Sequence, residues 1–592
     1  MRKTTTKSLI KLGAVTAATI LIMGGNPAYA GFFDGNDYYY VPTHLKFISI
    51  AVSGATGFGL GWFMSPQAKI YRRILAIAIA SVMLLFALFD NGFWGLSLMP
   101  FVSILAFAIG FGYWAGEAAK RFLEPPTTFG SSEWANKDHL NKHHAIGTNG
   151  FRIGNFQHKK TPFSLCYRSD RHLLTIAPNR SGKGVSMIIP NLLKYRGSII
   201  TIDPKGENAM ITAKHRTSMG QKVHVVDPWG ITGLDIARIN PMDWLVKGDV
   251  DMAENAMLIA DALHTPTGSG GEFWLQESKA LVHGIILYVA TNKDEAGNRN
   301  LGRVRDLLLL DGDEFKKLFE RMLQSPHHIV ASTGARSLQK DEKLLANVIA
   351  SAQAQTHFLD SNRIRESLSH SDFSFEDLKT EKMTIYLVLP ADRLNTYGRW
   401  LRLLIQQALT INARNIEAKP EKSVLFLLDE LPALGRLEML EQAFGLMAGF
   451  GIQIWGICQD LSQLKRIYGD GWETFISNAG MIQYFGSRDR FTAEYFSALC
   501  GVTTVWNIST ALSRAFGRSN GKGGLTTSDT ETMSETTTGT QRQLAYPDEL
   551  MRMHDNKQLV FIENMNPIIG HKTPWFKDPE FKDLGVNLHD KN

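Results

Sequence analysis

The chain has 592 residues, of which 44% are hydrophobic and 20% charged, a composition typical of a folded protein with room for several domains. The net charge is only +6, so charge alone does not indicate nucleic-acid binding. Cys166, Cys458 and Cys500 lie far apart without metal-ligand spacing, which favours reduced cytosolic thiols over disulfides or a metal site. The sequence has no HExxH motif, which argues against a membrane-anchored metalloprotease.

Residues 1–30 have the pattern of a signal peptide or of a short first membrane segment. Basic residues precede an apolar stretch from Leu12 to Gly25. Counted after Lys11 this stretch is about 13 residues long, which suits a signal-peptide core better than a span. Ala28-Tyr29-Ala30 is an A-x-A cleavage signature. Cleavage after Ala30 and an uncleaved short span therefore both stay open.

Residues 31–124 are predicted to form a transmembrane helical region with spans near 47–64, 74–89 and 93–114. Basic residues lie between the first and second spans and again after the third, while the other connections carry acidic residues. The positive-inside rule then places the 69–73 loop and everything after Lys120 in the cytoplasm. This pattern predicts a multi-pass membrane protein with a large cytoplasmic C-terminal domain. Buried core helices are the competing interpretation.

Residues 125–163 are predicted to be a linker and the start of the cytoplasmic domain. An apolar strand, Leu173–Ile176, then leads into a loop and a helix. This is the layout of a phosphate-binding loop, where backbone N–H groups hold phosphate oxygens and Lys183 reaches the β- and γ-phosphates of ATP. The residues predicted to bind the nucleotide are Ala177, Pro178, Asn179, Arg180, Ser181, Gly182, Lys183, Gly184 and Val185.

The match to G-x-x-x-x-G-K-[ST] is imperfect. Ala177 stands where the first glycine is usual, and Gly184 stands where a hydroxyl residue would contribute to Mg²⁺ binding. A small-residue turn between a strand and a helix is the alternative.

A second motif strengthens the prediction of a nucleotide site. The apolar strand Val424–Leu428 ends in Asp429 and Glu430. Asp429 would hold Mg²⁺, through water, and Glu430 would orient the attacking water, because phosphoryl transfer depends on positioning and charge neutralisation. A solvated strand end is the alternative for this motif alone. The two motifs in this order predict NTP hydrolysis.

Gln459 follows another apolar strand, Ile452–Cys458. If that strand lies next to the phosphate loop, this side chain would sit near the γ-phosphate and report hydrolysis to the rest of the domain. A helix-capping glutamine is the alternative.

The order of elements predicts an α/β fold with a parallel sheet. Residues 164–237 and 379–592 form the predicted nucleotide-binding domain, and three- and four-residue apolar spacing predicts an inserted all-α domain at 238–378. The Ser/Thr/Gly-rich stretch 509–540 is predicted to be disordered, or ordered on assembly. Residues 572–592 are predicted to form a short tail.

Several motifs together resemble the TraG-like coupling proteins of type IV secretion and bacterial conjugation. The resemblance covers most of the cytoplasmic part. The segments that carry it are APNRSGKGVS (177–186), DPKGE (203–207), LLDELPALGRLE (427–438), MAGFGIQIWGICQDLSQLKRIYG (447–469) and YPDEL (546–550).

This resemblance implies a bacterial inner-membrane ATPase with a RecA-like P-loop NTPase core and a membrane-distal helical domain. It also implies a homo-hexamer with ATP and Mg²⁺ at the subunit interfaces. The expected substrates are relaxase–DNA complexes or protein effectors, delivered to type IV secretion channel subunits. By the same resemblance, the four candidate catalytic residues, Lys183, Asp429, Glu430 and Gln459, take the roles given above. A ring motor would bind DNA through phosphates, without sequence preference.

Two features depart from the family pattern. Some relatives carry an arginine upstream of the strand-ending glutamine, proposed to act across the subunit interface, and the stretch Gly445–Gly449 has none. Arg436, Arg488 or Arg490 would have to replace it, with Arg488 the first choice. The predicted spans also outnumber the two usual in the family.

An ATP-driven motor for DNA or protein is therefore the leading functional hypothesis. A docking platform with weak ATPase activity is the second, favoured slightly by Gly184 and the missing arginine. An FtsK-type DNA translocase is the third. That class would be expected to carry a C-terminal winged-helix DNA reader, for which the stretch after Glu563 looks too short.

Overall fold

The computed structural model describes residues 43–65, 74, 99–123, 127–159, 161–265, 271–521 and 524–588. The chain divides into two units. The first comprises Met1–Gly130 with Thr504–Arg542, and the second comprises Ser131–Thr503 with Gln543–Asn592.

The first unit contains two long helices, α1 (Thr43–Met64) and α2 (Met99–Leu123). They approach closely at Gly57, Gly61 and Gly112, because glycine has no Cβ atom. A Cβ atom at any of these positions would collide with the backbone of the other helix. Within the described ranges, no helix combines the length and the apolarity that crossing a membrane requires.

Two of the predicted membrane segments coincide at least in part with described helices, and the others lie almost entirely outside the described residues. The segment near 47–64 lies within α1, and the segment near 93–114 overlaps α2. The segment near 74–89, residue 74 excepted, and the signal-like residues 1–30 lie outside the described residues.

The Ser/Thr-rich stretch 509–540 was predicted to be disordered or ordered on assembly, and the structure describes it as two strands apart from residues 522 and 523. Strands β10 (Val502–Gly521) and β11 (Gly524–Gln543) pair with each other in a separate two-stranded sheet. The many β-branched threonines favour an extended backbone, and glycines flank the connection between the strands. The prediction overlooked that two such strands satisfy each other's backbone hydrogen bonds.

The second unit is built on an 11-stranded sheet, as counted in the residues described. Its strands are β1 (Phe151–His158), β2 (Thr161–Tyr167), β3 (His172–Ile176), β4 (Ile199–Asp203), β5 (Lys222–Val226), β6 (Met383–Val388), β7 (Val424–Leu428), β8 (Ile452–Cys458), β9 (Ala479–Tyr484), β12 (Lys557–Ile562) and β13 (Ile568–His571). Their order across the sheet is β2-β1-β13-β12-β9-β3-β8-β7-β4-β6-β5.

The sheet is parallel from β9 to β5 and antiparallel from β9 to β2. The parallel strands are continuous apolar runs buried on both faces, such as β7 and β8, as expected where helices cover a sheet. Strands β12 and β13 are joined by a short turn, which allows only antiparallel pairing. The sheet is therefore mixed, whereas the sequence predicted a parallel one.

Helices cover the sheet and fill the chain between β5 and β6. The helices of the second unit are α3 (Lys137–Lys142), α4 (Ile189–Lys194), α5 (Glu207–Ser218), α6 (Met252–Leu263), α7 (Glu272–Thr291), α8 (Leu301–Leu308), α9 (Gly312–Leu323), α10 (His328–Leu338), α11 (Glu342–Thr356), α12 (Asn362–Ser367), α13 (Leu394–Arg414), α14 (Glu438–Leu446), α15 (Leu461–Tyr468), α16 (Glu473–Ser477), α17 (Arg490–Cys500) and α18 (Pro547–Met551).

The predicted helical insertion at 238–378 corresponds to α6–α12. Apolar residues of these helices, such as Val282 and Leu318, belong to the same hydrophobic cluster as Leu174 of β3 and Phe426 of β7. The helices therefore share a continuous core with the sheet.

The C-terminal segment is not a free tail. Trp575 is 3% exposed and Phe581 is 1% exposed, and both pack with Ile189 and Leu193 of α4. The N–H of Val586 donates to the carbonyl of Ile211 at 3.0 Å. The tail prediction missed this packing because two isolated aromatic residues give no periodic signal.

Candidate nucleotide site

The candidate site lies where four neighbouring parallel strands end. In the register of the sheet, Ile176 pairs with Cys458, Leu428 with Gly456, and Ile202 with Leu428. The residues that follow β3, β8, β7 and β4 therefore meet at one edge. In α/β sheets this carboxyl edge is the usual place for a ligand. The condition attached to Gln459 is met, because β8 lies directly beside β3.

The phosphate loop begins directly after β3. The N–H of Ala177 donates to the carbonyl of Cys458 at 2.8 Å, and the N–H of Ser181 donates to that of Pro178 at 3.2 Å. Arg180 and Gly182 have positive φ angles of 60° and 85°, so the loop turns tightly. A π-helical turn, Gly184–Ile188, continues into α4.

Gly184 is not required by packing. A Cβ atom built on it would meet no heavy atom within 4 Å. The hydroxyl that the usual motif places here could therefore be accommodated, although this chain does not have it.

Lys183 contacts both carboxylates of the second motif. Its Nζ lies 2.7 Å from Oδ1 of Asp429 and 3.7 Å from Oε2 of Glu430. All three side chains are less than a fifth exposed, at 16%, 13% and 17% respectively. The structure thus brings together the lysine and the carboxylates that the sequence singled out separately.

Glu430 has a strained backbone and a defined partner. Its φ and ψ angles are 68° and 52°, in the left-handed region, which costs a non-glycine residue about 1–2 kcal/mol. Nε2 of Gln459 donates to its Oε1 at 3.0 Å. Burial raises the pKa of Glu430, and neighbouring Asp429 adds to this, while Lys183 and the Gln459 hydrogen bond oppose it.

Gln459 also connects Glu430 with the phosphate loop. Nδ2 of Asn179 donates to its Oε1 at 3.4 Å. The alternative of a helix-capping glutamine does not describe this geometry, because Asp460 caps α15 by accepting from the N–H of Gln463 at 2.7 Å.

Sequence reasoning gave no role to Asp203, the first residue of the DPKGE motif. It ends β4, beside β7, and its carboxylate accepts from the N–H of Ala209 at 2.9 Å. Burial raises the pKa of Asp203 to about 7, and Asp429 contributes to this rise. The motif itself was the available signal, since an acidic residue at a strand end follows the same pattern as Asp429.

A cavity of about 690 Å³ opens at this edge. Its lining includes Lys183, Asp203, Asp429, Glu430 and Gln459 together with further residues that the sequence did not single out for the site, Lys205, Arg466 and Asn208 among them. Such a volume is typical of small-molecule sites.

The donor set fits Mg²⁺ bound mainly through a nucleotide. Oδ1 of Asp429 is buried and has no hydrogen-bond partner apart from its contact with Lys183. In the described part of the chain, no group of three or more His, Cys, Asp or Glu side chains could hold a metal by itself. Mg²⁺ commonly binds through one or two carboxylates, substrate phosphates and water, which Asp429 could satisfy.

The three candidate interface arginines lie on the surface. Arg436 and Arg488 are exposed, and Arg490 pairs with Glu494 at 2.6 Å. In the described residues, the arginines that line the cavity are instead Arg180 and Arg466.

Comparison with known proteins identifies the family. Residues 127–591 match the model of the family described as Type IV secretory system Conjugative DNA transfer. The chain is 29% identical over 429 residues to protein VirD4 of Rhizobium radiobacter, covering 70% of this chain and 58% of VirD4. It is 27% identical over 465 residues to conjugal transfer protein TraG of Escherichia coli, covering 73% and 71% of the two chains.

The fold is also similar to a solved structure, plasmid coupling protein TrwB in complex with ADP and Mg²⁺. The TM-score is 0.54 and the identity 15%, over 76% of this chain and 95% of that chain. This similarity shows the fold alone, an α/β fold with a large mixed sheet.

These matches define the class of protein: a TraG-like coupling protein with an α/β fold built on a large mixed sheet. The chain belongs to the type IV secretory system conjugative DNA transfer family. It spans about three fifths of the length of the VirD4 relative, since the match covers 58% of that protein.

Proposed function

We propose that this chain is an ATP-hydrolysing coupling protein that recruits DNA, as a relaxase–DNA complex, or protein effectors and drives them to the channel of a type IV secretion system. The observation that carries the proposal is the contact of Lys183, in the phosphate loop, with Asp429 and Glu430 at the end of β7. Family membership supplies the conjugative context.

The proposed reaction uses these residues in turn. The β- and γ-phosphates of ATP compete with the two carboxylates for Lys183, which moves to the phosphates and leaves Asp429 available. Glu430 orients the attacking water, and its raised pKa makes it a better proton acceptor. Gln459 holds the Glu430 carboxylate in place. Mg²⁺, when bound near Asp429, supplies neutralisation of phosphate charge.

Nucleotide and metal binding have support from a relative as well. TrwB is a plasmid coupling protein whose solved structure is a complex with ADP and Mg²⁺. We extend that ligand pair to this chain because its phosphate loop and carboxylates occupy one cavity.

We also propose a homo-hexamer with ATP at the subunit interfaces, following the family resemblance. Arg488 is exposed and so available to a neighbouring subunit's nucleotide. DNA would be bound through its phosphates without sequence preference, and its affinity would fall steeply with salt.

For localisation we propose the bacterial inner membrane, with several spans and a large cytoplasmic C-terminal domain. The charge pattern of residues 31–124 supports this. So do α1 and α2, whose contact uses Gly57-x-x-x-Gly61 and Gly112-x-x-x-Gly116, a spacing common between membrane helices. Phe107 and Trp114 on α2 are 78% and 62% exposed, as expected of side chains that face lipid.

The docking platform with weak ATPase activity is the second candidate. Gly184 lacks the usual hydroxyl, and Lys183 is held by two carboxylates. Both features would slow hydrolysis without preventing recruitment.

Two variants test the proposed chemistry. Glu430→Gln should bind ATP with near-normal affinity and hydrolyse it at least about tenfold more slowly, because the water loses its orienting carboxylate.

Lys183→Ala should abolish conjugative transfer while the protein stays in the membrane fraction. Exposed Glu417 and Lys214 provide matched controls as Glu417→Gln and Lys214→Ala, and both should behave as wild type.

Unchanged turnover in Glu430→Gln would show that the second motif is misassigned. Wild-type transfer by Lys183→Ala would exclude an ATP-driven motor.

A further inference from the structure

Lys572 contacts the phosphate loop from outside the nucleotide cavity. It follows β13 directly, and its backbone N–H donates to the carbonyl of Asn556 at 2.7 Å. Its Nζ donates to the backbone carbonyl of Ser181 at 2.9 Å. Lys572 does not line the cavity that contains Gly182 and Lys183, and it belongs to none of the motifs that define the site.

The surroundings of Lys572 fix its ammonium group in place. Nζ lies 4.5 Å from the ring centre of Phe485, a favourable cation–π distance. Phe485 is 5% exposed, and its N–H donates to the carbonyl of Ile176, the last residue of β3. Burial lowers the pKa of Lys572 to about 8, and the nearby carboxylate of Asp555 opposes this fall.

The bond to Ser181 sets the direction of a peptide group. In a planar trans peptide the C=O and the following N–H point in opposite directions. Because Nζ of Lys572 holds the Ser181 carbonyl, the N–H of Gly182 points away from Lys572, and Gly182 itself lines the cavity. The next carbonyl, of Gly182, is held by the N–H of Ser186 at 3.0 Å and by its Oγ at 2.6 Å. Two successive peptides of the loop are thus oriented by partners outside it.

The C-terminal segment that follows Lys572 is held in place by packing and by an ion pair. Trp575 and Phe581 pack against α4, the helix that follows the loop. Asp578 forms a buried ion pair with Arg152 of β1 at 2.8 Å. The segment that carries the lysine is therefore anchored both to the sheet and to the loop helix.

We propose that Lys572 is a positioning residue of the phosphate loop, which pre-orients the Gly182 and Lys183 N–H groups to bind the phosphates of a nucleoside diphosphate or triphosphate. The proposal rests on the proposed function, since it requires a nucleotide in this loop. It assigns to the C-terminal segment a direct part in nucleotide affinity.

The test compares full-length variants by calorimetric titration with ADP and Mg²⁺. Lys572→Met should bind ADP about tenfold more weakly at about pH 7, the effect of losing a charge-assisted hydrogen bond. Lys572→Arg keeps the cation and should recover most of the affinity. Lys582→Met removes an exposed lysine of the same segment and should bind as wild type.

Two further readouts separate positioning from simple structural support. Wild-type affinity should fall between about pH 7 and about pH 9 as Lys572 loses its proton, whereas the affinity of Lys572→Met should stay flat. The KM for ATP should rise in Lys572→Met more than kcat falls, because Glu430 and Gln459 are untouched.

Equal affinity of Lys572→Met and wild type at about pH 7 would overturn the proposal. If that variant fails to fold, pH-independent binding by the wild type over the same range would overturn it instead. Lys183→Ala is included in the series. Loss of binding in Lys183→Ala with normal binding in Lys572→Met rejects the Lys572 proposal alone, whereas normal binding in Lys183→Ala rejects the nucleotide site itself.

Discussion

Glu430 owes its position to the packing of the residue after it. Leu431 is fully buried, and its Cδ1 occupies the space where a Cβ of Gly456 on β8 would lie. Packing Leu431 over β8 turns the chain sharply after β7, and Glu430 takes up that turn in a left-handed conformation. The resulting direction brings its carboxylate to Gln459 and Lys183. Strain of this kind persists where the surrounding structure enforces it, often at functional sites.

His172, the first residue of β3, makes folding sensitive to acid. It is 1% exposed, its Nδ1 accepts from the N–H of Ile454 at 3.1 Å, and its Nε2 donates to the carbonyl of Ala443 at 2.9 Å. The bond from Ile454 requires an unprotonated Nδ1. Burial lowers the pKa of His172 to about 4, although the hydrogen bond to Ala443, which the protonated ring can also donate, opposes this fall.

The free energy of unfolding should therefore fall as the pH drops below about 6.5, the unfolded value, toward the folded value. Between these two pKa values the His172 side chain is protonated in the unfolded chain and neutral in the folded chain. The contribution of His172 to this loss should be about 2 kcal/mol at about pH 5. Denaturant unfolding of wild type and His172→Gln, at neutral and acidic pH, measures it.

The glutamine variant should lose that part of the pH dependence, while the control His357→Gln, at a side chain 77% exposed, should keep it. Equal pH dependence in wild type and His172→Gln would contradict the assignment.

At the scale of elements, the apolar runs predicted the central strands well. Segments such as Val424–Leu428 are buried on both faces and carry their own signal. Strand β13 was not predicted, because its four residues, Ile568–His571, are too few to show a hydrophobic pattern. The strand is stabilised by its pairing with β12. The pairing of β10 with β11 was missed for the same reason. In both cases the polar or short sequence has no strong apolar alternation, and the strand is stabilised by backbone hydrogen bonds to the neighbouring strand.

The same limit applies to the candidate site. Asp429 and Glu430 directly follow a recognisable strand, and Lys183 lies in the loop after another, so their convergence was predictable. Lys572 reaches the loop from β13, nearly four hundred residues away in the chain, and only the folded sheet reveals it. Asp203 lay in a motif whose chemistry became clear only when β4 was found beside β7.

Arg216 of α5 ties that helix to the end of α4, the helix after the phosphate loop. Its side chain is fully buried and donates to the carbonyls of Leu192 at 2.9 Å and Gly197 at 3.0 Å. It also donates to Oγ1 of Thr384 on β6 at 2.8 Å. Burial lowers the pKa of Arg216 to about 10, so the group is charged at neutral pH.

Arg216→Lys should lower the free energy of unfolding by about 3 kcal/mol, since an ammonium cannot reproduce the forked donor geometry and would leave buried carbonyls unpaired. Denaturant unfolding measures the change, with Arg196→Lys, an exposed arginine in the following loop, as control. A difference below about 0.5 kcal/mol, the range of surface substitutions, would refute this role.

At the scale of the whole molecule, the phosphate loop, the carboxylate motif and the family match agree on one class of protein. The N-terminal helices, α1 and α2, contact each other closely at glycines. The sheet carries the site, and the C-terminal segment is anchored behind it. Under the proposed function, ATP hydrolysis at this site would drive the movement of DNA, bound through its phosphates, or of protein effectors.

The most direct test of this account is the rate of ATP hydrolysis by the detergent-solubilised full-length protein, with and without DNA, beside Lys183→Ala. We expect a rate that DNA increases and salt suppresses, and that vanishes in Lys183→Ala. A rate that stays at background with and without DNA, although the wild type binds nucleotide and assembles into its ring, would contradict the motor and favour the docking platform.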